Sequence, residues 1–398
     1  MPWKEASSME LRREFVELAS VAGGNVSQLA ARFGISRKTA YKWLARFRAE
    51  GVKGLSDRSR RPRTSPGRTR RRIEAAVVRL RKRHPAWGAR KLRARLSALG
   101  QGALPANSTV HTILARQGLI SPQESEQRQR FTRFEHAAPN ALWQMDFKGH
   151  FSLTNGRRCH PLTVLDDHSR FSVLLAACAD ETSLTVRERL IRVFERYGLP
   201  ERMLMDNGGS WRGGGDDPHS EFTVWLMRLG VRVTHGRPCH PQTQGKDERF
   251  HRTLKAEVLT RPLATLSSCQ RCFDRWRDVY NLERPHEALG MHPPISRYRE
   301  SPRAYPRRLP AVEYGPDDQV RRVSIEGDIS FRGHELKIGK AFRRQQVALR
   351  ATASDGVWEV YFSYSLLGHV HLGGPAIARH GLPAFVRYAH SVRQPVTP

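Results

Sequence analysis

The sequence predicts a multidomain protein in which all-α modules precede a central α/β region and a small all-β region. Three observations predict this order. Basic residues are concentrated in the first third of the chain, where the apolar residues follow helical spacing. Strands and helices alternate from about residue 136, and short alternating apolar runs follow residue 317. A chain of 398 residues has room for about two to four domains.

The charge distribution separates the first region from the rest. The chain has a formal net charge of +30, and residues 1–135 hold 30 basic and 10 acidic side chains. Residues 136–300 hold 24 basic and 20 acidic side chains. A large positive charge favours nucleic acid as a partner, because each neutralised phosphate releases counterions. An Arg-rich proteome would also raise the net charge, but the uneven distribution favours DNA-binding modules attached to a nearly neutral core.

Residues 1–55 predict a helix-turn-helix domain. An apolar stripe in 26–33 is followed by Gly34 as the turn and Ser36 as the N-cap of a second helix. The second helix has apolar residues at i, i+3, i+4 and i+7, and its first turns carry basic residues off that face. These candidate DNA contacts are Arg37, Lys38 and Lys42. The alternative is an ordinary helical hairpin with a solvated basic face.

Residues 56–72 predict an extended linker rich in Arg, Pro, Gly and Ser. Arginines in such a segment can follow phosphates or enter a narrow minor groove. The candidate DNA contacts are Arg60, Arg61, Arg63, Arg70 and Arg71. A solvated tether is the alternative.

Residues 73–135 predict a second, more degenerate helix-turn-helix domain. An amphipathic helix over 73–83 precedes a leucine stripe at Leu92 and Leu96. Ser108 is expected to cap a further helix, which carries apolar residues at 110, 113 and 114. Two tandem DNA-binding modules would explain the charge of this region.

Residues 136–300 predict a mixed α/β core. The sequence gives a strand within 142–153, a hairpin over 161–177 with its turn near 167–169, and a strand within 201–211. Helices are expected over 184–200 and 220–231, then a short strand, and a long helix after Gly245. Residues 317–375 predict about five short strands in a small β-barrel, and 376–398 form a tail. The sequence leaves open whether this barrel binds DNA or protein.

Three carboxylates occupy positions that predict a metal site. Asp146 lies in a short apolar strand, where an acid is costly unless it is paired or binds metal. Asp206 follows an apolar run at a strand's C-terminal end, and Glu248 lies near the start of the helix after Gly245. Converging carboxylates suit Mg²⁺, and two such ions, roughly 3.5–4 Å apart, can activate a water or hydroxyl at a phosphodiester. The alternative for each acid alone is a structural, hydrogen-bonded role.

Other acids are assigned to local structure. Asp166 and Asp167 lie at the hairpin, where turn chemistry explains them. Asp216 and Asp217 lie in the Gly-rich segment 212–220, and we expect no catalytic role for them.

Four motifs carry a family resemblance: WQMD at 143–146, LDDHSR at 165–170, DNG at 206–208 and HPQTQGKDERFHRTLK at 240–255. Together they resemble the DDE transposases of bacterial insertion sequences, within the retroviral-integrase superfamily. The resemblance implies an RNase H-like core with two Mg²⁺ ions, for which Mn²⁺ can substitute, held by Asp146, Asp206 and Glu248. It also implies an SH3-like C-terminal barrel. The 41 residues between Asp206 and Glu248 exceed the usual spacing, and the surplus is placed in the Gly-rich segment.

The resemblance selects Glu248 rather than Asp247 as the third acid. Adjacent helix residues point about 100° apart, so that only one of the two can face the site. Lys255 lies two turns after Glu248 and Arg252 one turn after it, and both are candidate phosphate contacts. A solvated helix charge is the alternative for Lys255.

The expected function is that of a transposase acting on double-stranded DNA as a homo-oligomer in the bacterial cytoplasm, associated with the nucleoid. It would bind the terminal inverted repeats of its element, cleave at the ends and join the freed 3′-hydroxyl to target DNA. Three alternatives remain open at this point: an inactive transposase-derived regulator, an integrase subunit that needs a separate ATPase, and a metal-dependent nuclease without strand transfer.

Overall fold

The computed structural model describes residues 7–21, 24–59, 67–120, 135–206, 211, 219–235, 245–372 and 385–387. The chain forms two compact units, Met1–Arg68 and Thr69–Pro398. The Arg-rich positions 60, 61 and 63, the Gly-rich segment 212–218 and the motif residues 236–244 lie outside the described residues.

The N-terminal unit contains the predicted helix-turn-helix. Its helices are α1 (Ser8–Ser20), α2 (Val26–Arg32) and α3 (Arg37–Glu50), followed by a 3-10 helix, Gly51–Leu55. Gly34 turns the chain with φ of 67°, and the Ser36 hydroxyl accepts a bond from the Thr39 N–H at 3.2 Å. Both predicted turn signals are therefore confirmed.

Helix α1 was not predicted, although a local signal for it exists. The Ser7 hydroxyl accepts from the backbone N–H of Glu10, and the Glu10 carboxylate accepts from the backbone N–H of Ser7. This reciprocal capping box has the S-x-x-E signature of a helix start. Phe15 and Val16 then bury the inner face of the helix against α3.

The second helical module consists of α4 (Arg71–Arg83), α5 (Ala89–Ala98) and α6 (Asn107–Arg116). Two sequence expectations are wrong in detail. Helix α6 has Ala106 as its N-cap, so the expected cap Ser108 lies inside the helix. Arg71, which was expected to belong to the linker, is the first residue of α4. The apolar stripes of α5 and α6 are buried in one cluster with Trp87, as their spacing predicted.

The central sheet has the antiparallel strands β1 (Trp143–Phe147), β3 (Arg158–Asp166) and β4 (Ser172–Cys178), with the short β2 (Phe151–Ser152) at the start of β3. Strands β5 (Arg202–Met205) and β6 (Arg232–His235) run parallel to β1. The strand order β4-β3-β1-β5-β6 places β1 at the centre. The predicted hairpin is β3–β4, with its turn after Asp166.

Helices cover both faces of this sheet. On one face, α7 (Ser183–Tyr197) and α8 (Glu221–Arg228) bury apolar residues against all five main strands. On the other face, α9 (Gly245–Glu257) and α10 (Leu266–Leu282) pack against β3 and β4. The result is the α/β layer architecture that the sequence predicted. Trp143 and Met145 of β1 face α7 and α8, so the alternation of a strand directs Gln144 and Asp146 to the α9 face.

Side chains of α10 protect the edge strand β4. The Asn281 amide accepts from the Ser172 N–H at 2.8 Å and donates to the Ser172 carbonyl at 3.0 Å. Gln270 binds the Ala177 N–H and the Leu175 carbonyl in the same way. These bonds occupy backbone groups that an exposed edge would offer to another chain.

The C-terminal region is a five-stranded antiparallel sheet of order β13-β12-β11-β10-β7 and a separate hairpin β8–β9. Its strands are β7 (Gln319–Arg322), β8 (Asp328–Phe331), β9 (His334–Lys337), β10 (Gln346–Ala351), β11 (Val357–Phe362), β12 (Ser365–His371) and β13 (Phe385–Arg387). The expected barrel is not confirmed, because the described strands do not close into a cylinder. The hairpin instead packs its apolar residues onto the sheet, and Val224 and Met227 of α8 join that cluster.

None of the helices in the described ranges combines the length and apolar character needed to cross a membrane.

We predict that Asn281→Leu lowers the free energy of unfolding by about 2–4 kcal/mol, because two buried backbone groups of Ser172 lose their partners. Leucine preserves the size of the side chain, so the effect reports the lost hydrogen bonds. Urea unfolding measures it. Leu282→Ala, at a neighbouring position that is 49% exposed, is the control and should change stability little. Equal stability of Asn281→Leu and wild type would contradict this account of the sheet edge.

Candidate active site

Asp146 and Asp206 lie side by side at the edge of the central sheet. Strands β1 and β5 are parallel, with Trp143 opposite Met203 and Gln144 opposite Leu204. Continuing this register by two residues places Asp146 opposite Asp206. Neighbouring strands are about 4.8 Å apart, so the two carboxylates share one end of the sheet.

The Asp146 carboxylate is in an unfavourable environment for a negative charge. Burial, followed by the negative charges of Asp206, Glu181 and Glu248, raises the pKa of Asp146 to about 7. The backbone N–H of Phe147 opposes the shift. The side chain is 22% exposed, so solvent screens this repulsion only partly. The nearest basic ring, His251, does not neutralise it, because burial and the Lys148 cation lower the pKa of His251 to about 4.

Asp206 is positioned by its own neighbours. Its Oδ1 accepts a hydrogen bond from the indole Nε1–H of Trp211 at 2.5 Å, and its carbonyl accepts from the Nδ1–H of His235 at 3.1 Å. Trp211 is buried and stacks on Phe147 of β1. The stacked ring therefore ties the orientation of Asp206 to the strand that carries Asp146.

The two adjacent acids of α9 face different environments. Glu248 is exposed, whereas Asp247 is fully buried and neither of its carboxylate oxygens has a hydrogen-bond partner in the described part of the chain. Burial, Asp146 and Asp167 raise the pKa of Asp247 well above its usual value. Both acids interact electrostatically with Asp146, because the negative charge of Glu248 raises the pKa of Asp146 and that of Asp146 raises the pKa of Asp247. Asp247 faces the interior.

Asp146 and Asp206 share one end of the sheet, and the negative charge of Glu248 acts on Asp146 from α9. Among the described residues, no three His, Cys, Asp or Glu side chains are spaced to hold a metal ion. The chemistry of the donor set nevertheless fits a divalent cation. Carboxylates crowd around Asp146, the nearest histidine is neutral, and hard oxygen donors are those that Mg²⁺ prefers. A cation at this edge would remove the repulsion that raises the pKa of Asp146.

A histidine that the motif analysis passed over connects α9 to β1. Thr163 of β3 lies opposite Asp146, and its hydroxyl donates to the Asp146 carbonyl at 2.9 Å. The same hydroxyl oxygen lies 2.9 Å from Nε2 of His251. The Nδ1 atom of His251 lies 3.8 Å from Oδ2 of Asp146. The spacing of His251, three residues after Glu248, was the available signal.

Lysines flank the acids. Lys148 follows Asp146 by two residues on the same side of the chain, is half-buried, and has its pKa lowered by burial and by the nearby Lys255. Lys255 and Arg252 are exposed on α9, as predicted. Lys148 was not predicted, although the two-residue spacing from Asp146 could have indicated it.

Asp166 and Asp167 are used by the hairpin. Asp166 accepts from the N–H and hydroxyl of Ser169 and from the N–H of Asn140. Asp167 accepts from Gln144 and the N–H of His136, and forms an ion pair with Lys246. The contacts of Asp166 with Ser169 agree with the expected turn chemistry, whereas Asp167 is held by residues distant in the sequence rather than by the turn. Asp216 and Asp217 lie outside the described residues.

In the N-terminal unit, α3 exposes Arg37, Lys38 and Lys42 on the face opposite its apolar stripe. Tyr41, which is 58% exposed, lies between them and was not predicted. The Lys42 ammonium lies 4.5 Å above the centre of the Trp43 ring. In the other unit, Arg70 and Arg71 are exposed at the start of α4.

We predict that Asp146→Asn stabilises the metal-free protein by on the order of 4 kcal/mol at pH 8 and by less than half as much at pH 5. The folded pKa of Asp146 is raised from 3.8 to about 7. The unfolded chain therefore loses this proton first, and stability is lost as the pH rises from about 4 to 7. Asparagine carries no charge at either pH. Urea unfolding in EDTA at the two pH values measures the difference.

Asp180→Asn is the control for this pH dependence. Hydrogen bonds from Thr182 and Thr185 lower the pKa of Asp180, so it is ionised at both pH values and its replacement should have the same effect at each. A pH-independent effect at Asp146 would contradict the raised pKa.

Family profiles match nearly the whole length of the chain. Helix-turn-helix and homeodomain-like profiles match residues 11–63 and 39–114. Two integrase core profiles match 136–241 and 229–294. The profile of the IS481 family transposase C-terminal domain matches 318–373. The C-terminal sheet is thus assigned to a transposase domain.

Similar proteins include two insertion-element proteins. The IS407 uncharacterized 31.7 kDa protein of Burkholderia multivorans is 29% identical over 38% of this chain and 53% of its own length. The IS476 uncharacterized 39.2 kDa protein of Xanthomonas euvesicatoria is 25% identical over 68% of this chain and 78% of its own length. The chain thus spans about half the length of the first relative.

Among solved structures, the HTLV-2 integrase catalytic core in complex with magnesium is 15% identical, with a TM-score of 0.32, over 41% of this chain and 99% of that core. The profiles and the insertion-element relatives confirm the resemblance found in the motifs. The chain thus contains regions similar to helix-turn-helix domains, to the integrase core and to the C-terminal domain of IS481 family transposases, and it is similar to insertion-element proteins.

Proposed function

We propose that this protein is a transposase that binds the terminal inverted repeats of an insertion element, cleaves DNA at its ends and joins the freed 3′-hydroxyl to target DNA. The observation that carries the proposal is the crowding of acids around Asp146. Asp206 is opposite it across the β1–β5 register, and Glu248 acts on it from α9. Such crowding disfavours a purely structural role and favours a site completed by cations.

Asp146, Asp206 and Glu248 would hold two Mg²⁺ ions, or Mn²⁺ in their place. When bound, divalent cations lower the pKa of a water or hydroxyl and stabilise the charge on the leaving oxygen. The residues of the chain set the geometry of that site. Trp211 fixes one oxygen of Asp206, and the β1–β5 register fixes the separation of the two strands. Cleavage and joining replace one phosphodiester by another, so that a single site serves both steps.

Lys148, Lys255 and Arg252 would bind the DNA phosphates next to the reacting bond. Lys148 and Lys255 are close enough for one to lower the pKa of the other. A DNA phosphate bound between the two ammonium groups would form charge-assisted hydrogen bonds with both and would relieve their mutual repulsion. The cations thus orient the DNA, while the acids remain available for the metal ions.

The helical modules would select the DNA ends. Helix α3 presents its basic face to the major groove, with Arg37, Lys38, Tyr41 and Lys42 as contacts. The exposed Arg70 and Arg71, together with Arg60, Arg61 and Arg63, would contact phosphates. Because two element ends must be joined, we expect a homodimer or larger assembly on DNA.

The second module is fixed to the catalytic core. Arg95 of α5 donates to Glu283, just after α10, at 2.7 Å, and Val279 of α10 packs into the apolar cluster of the module. A second ion pair joins Arg90 to Glu287 at 3.6 Å. DNA bound by this module would therefore keep a constant position relative to Asp146.

We predict that Glu248→Gln lowers strand transfer by more than about 100-fold, since even the loss of an outer-shell partner of a metal site costs 10–100-fold. Asp247→Asn, at the adjacent buried position, should leave the reaction close to the wild-type rate. Purified protein with Mg²⁺ and a labelled duplex that ends in the element's own terminal repeat measures cleavage and joining. Binding of the same duplex should be retained by both variants.

The outcomes separate the candidate functions. Wild-type protein that binds ends but neither cuts nor joins, with Mg²⁺ or Mn²⁺, would reject catalysis in favour of a regulator or a partner-dependent subunit. Cleavage without joining would indicate a nuclease. If Asp247→Asn lost activity while Glu248→Gln kept full activity, Asp247 rather than Glu248 would be the third metal ligand.

We predict that Lys42→Ala weakens binding of the terminal repeat and reduces the slope of log affinity against log salt by about one, as expected for the loss of one phosphate contact. Lys53→Ala removes an exposed lysine of the same unit that lies outside α3 and serves as the control. Fluorescence anisotropy over a salt series measures both. An unchanged slope for Lys42→Ala would remove this residue from the interface.

A further inference from the structure

The position of Glu248 must be set by other residues of α9. Glu248 is exposed, and neither a hydrogen bond nor an ion pair joins it to another residue in the described part of the chain. Phe250 and Leu254 anchor the helix in the core, but apolar contacts are non-directional and tolerate small rotations and translations. A directional contact is needed to hold the helix at a constant distance from Asp146.

His251 and Thr163 provide such a contact. The Thr163 hydroxyl has one proton and donates it to the Asp146 carbonyl, so its oxygen is the acceptor for the Nε2–H of His251. This arrangement fixes the ring as the Nε2–H tautomer and leaves a lone pair on Nδ1. That lone pair is on the atom 3.8 Å from the Asp146 carboxylate. Both side chains are largely shielded, with Thr163 fully buried and His251 13% exposed.

The geometry of the helix transmits this contact to Glu248. Residues three apart on an α-helix are about 60° apart around the axis and one turn apart along it. His251 is three residues after Glu248, so the two side chains leave the same side of α9. The hydrogen bond therefore restrains the turn of α9 that carries Glu248.

We propose that His251 is a positioning residue that acts through Thr163 to hold Glu248 at a constant distance from Asp146. This inference rests on the proposed function, because it assigns His251 a role in the same metal-assisted reaction.

Two pairs of variants test the proposal in the full-length protein. Thr163→Val removes the hydroxyl while keeping the shape, and Thr163→Ser restores it. His251→Gln places an amide N–H near the position of Nε2, whereas His251→Asn places one near Nδ1 and cannot reach Thr163. We expect Thr163→Val and His251→Asn to lower kcat for end cleavage by about 10–100-fold, the usual effect of losing an outer-shell partner. Their KM for DNA should not change.

The conservative variants separate positioning from general stability. Thr163→Ser and His251→Gln should recover most of the lost rate, and urea unfolding should show all four variants folded at the assay temperature. Wild-type rates for Thr163→Val or His251→Asn would overturn the proposal. It would also be overturned if Thr163→Ser lost as much activity as Thr163→Val, or if His251→Gln lost as much as His251→Asn.

Nitrogen-15 spectra of histidine-labelled, metal-free protein test the contact independently of activity. The His251 signal is assigned by its absence in His251→Gln. We expect a neutral ring with a protonated Nε2, and a mixture of tautomers in Thr163→Val. A ring protonated at Nδ1 alone in the wild type would overturn the proposal at any activity. If the wild type neither cuts nor joins, the proposed function fails, and the spectra alone decide whether His251 is held as described.

Discussion

The repulsion around the Asp146 carboxylate is the constraint on which the rest of the site depends. Strand register places Asp146 opposite Asp206, and burial together with the surrounding acids raises its pKa to about 7. This arrangement of acids is unfavourable by itself, because the carboxylates repel one another. It persists because β1 is the central strand, with apolar layers on both faces of the sheet that contribute far more than one buried carboxylate costs.

The fold keeps other charges from neutralising these acids. Lys246, the lysine next to Asp247, is paired with Asp167 at the hairpin. His251 is close to Asp146 but uncharged at neutral pH, because its pKa is lowered to about 4. Lys148 and Lys255 lie near each other, and neither forms an ion pair with the acids that the structure describes. The acids and the lysines are thus adjacent but separate. This arrangement would suit DNA with bound divalent cations, because the cations could bind the acids while the phosphate oxygens contact the lysines.

Local signals made much of the fold and the candidate site predictable. Asp206 could be placed because an apolar run ends just before it, and Ser36 because cap chemistry is short-range. The Thr163–His251 contact joins residues 88 positions apart, which no local pattern reveals. Periodicity predicted the C-terminal strands but not their partners, and the described strands form a sheet with a packed hairpin that does not confirm the expected barrel. Ser108 was a plausible cap, but the helix begins one residue before it.

The two units of the chain indicate different constraints on the two DNA-binding modules. The second module shares an apolar cluster and an ion pair with α10, and the C-terminal sheet shares another cluster with α8. Neither can move without breaking contacts that stabilise the core. DNA held by the second module would therefore meet Asp146 and Glu248 at a constant distance, and this distance would select the phosphodiester that is cut. Helices α1–α3 form their own compact unit, whose stability depends on its own apolar cluster. In the proposed function, recognition by α3 would set which DNA is bound, whereas the contacts of α5 with α10 would set where it is cut.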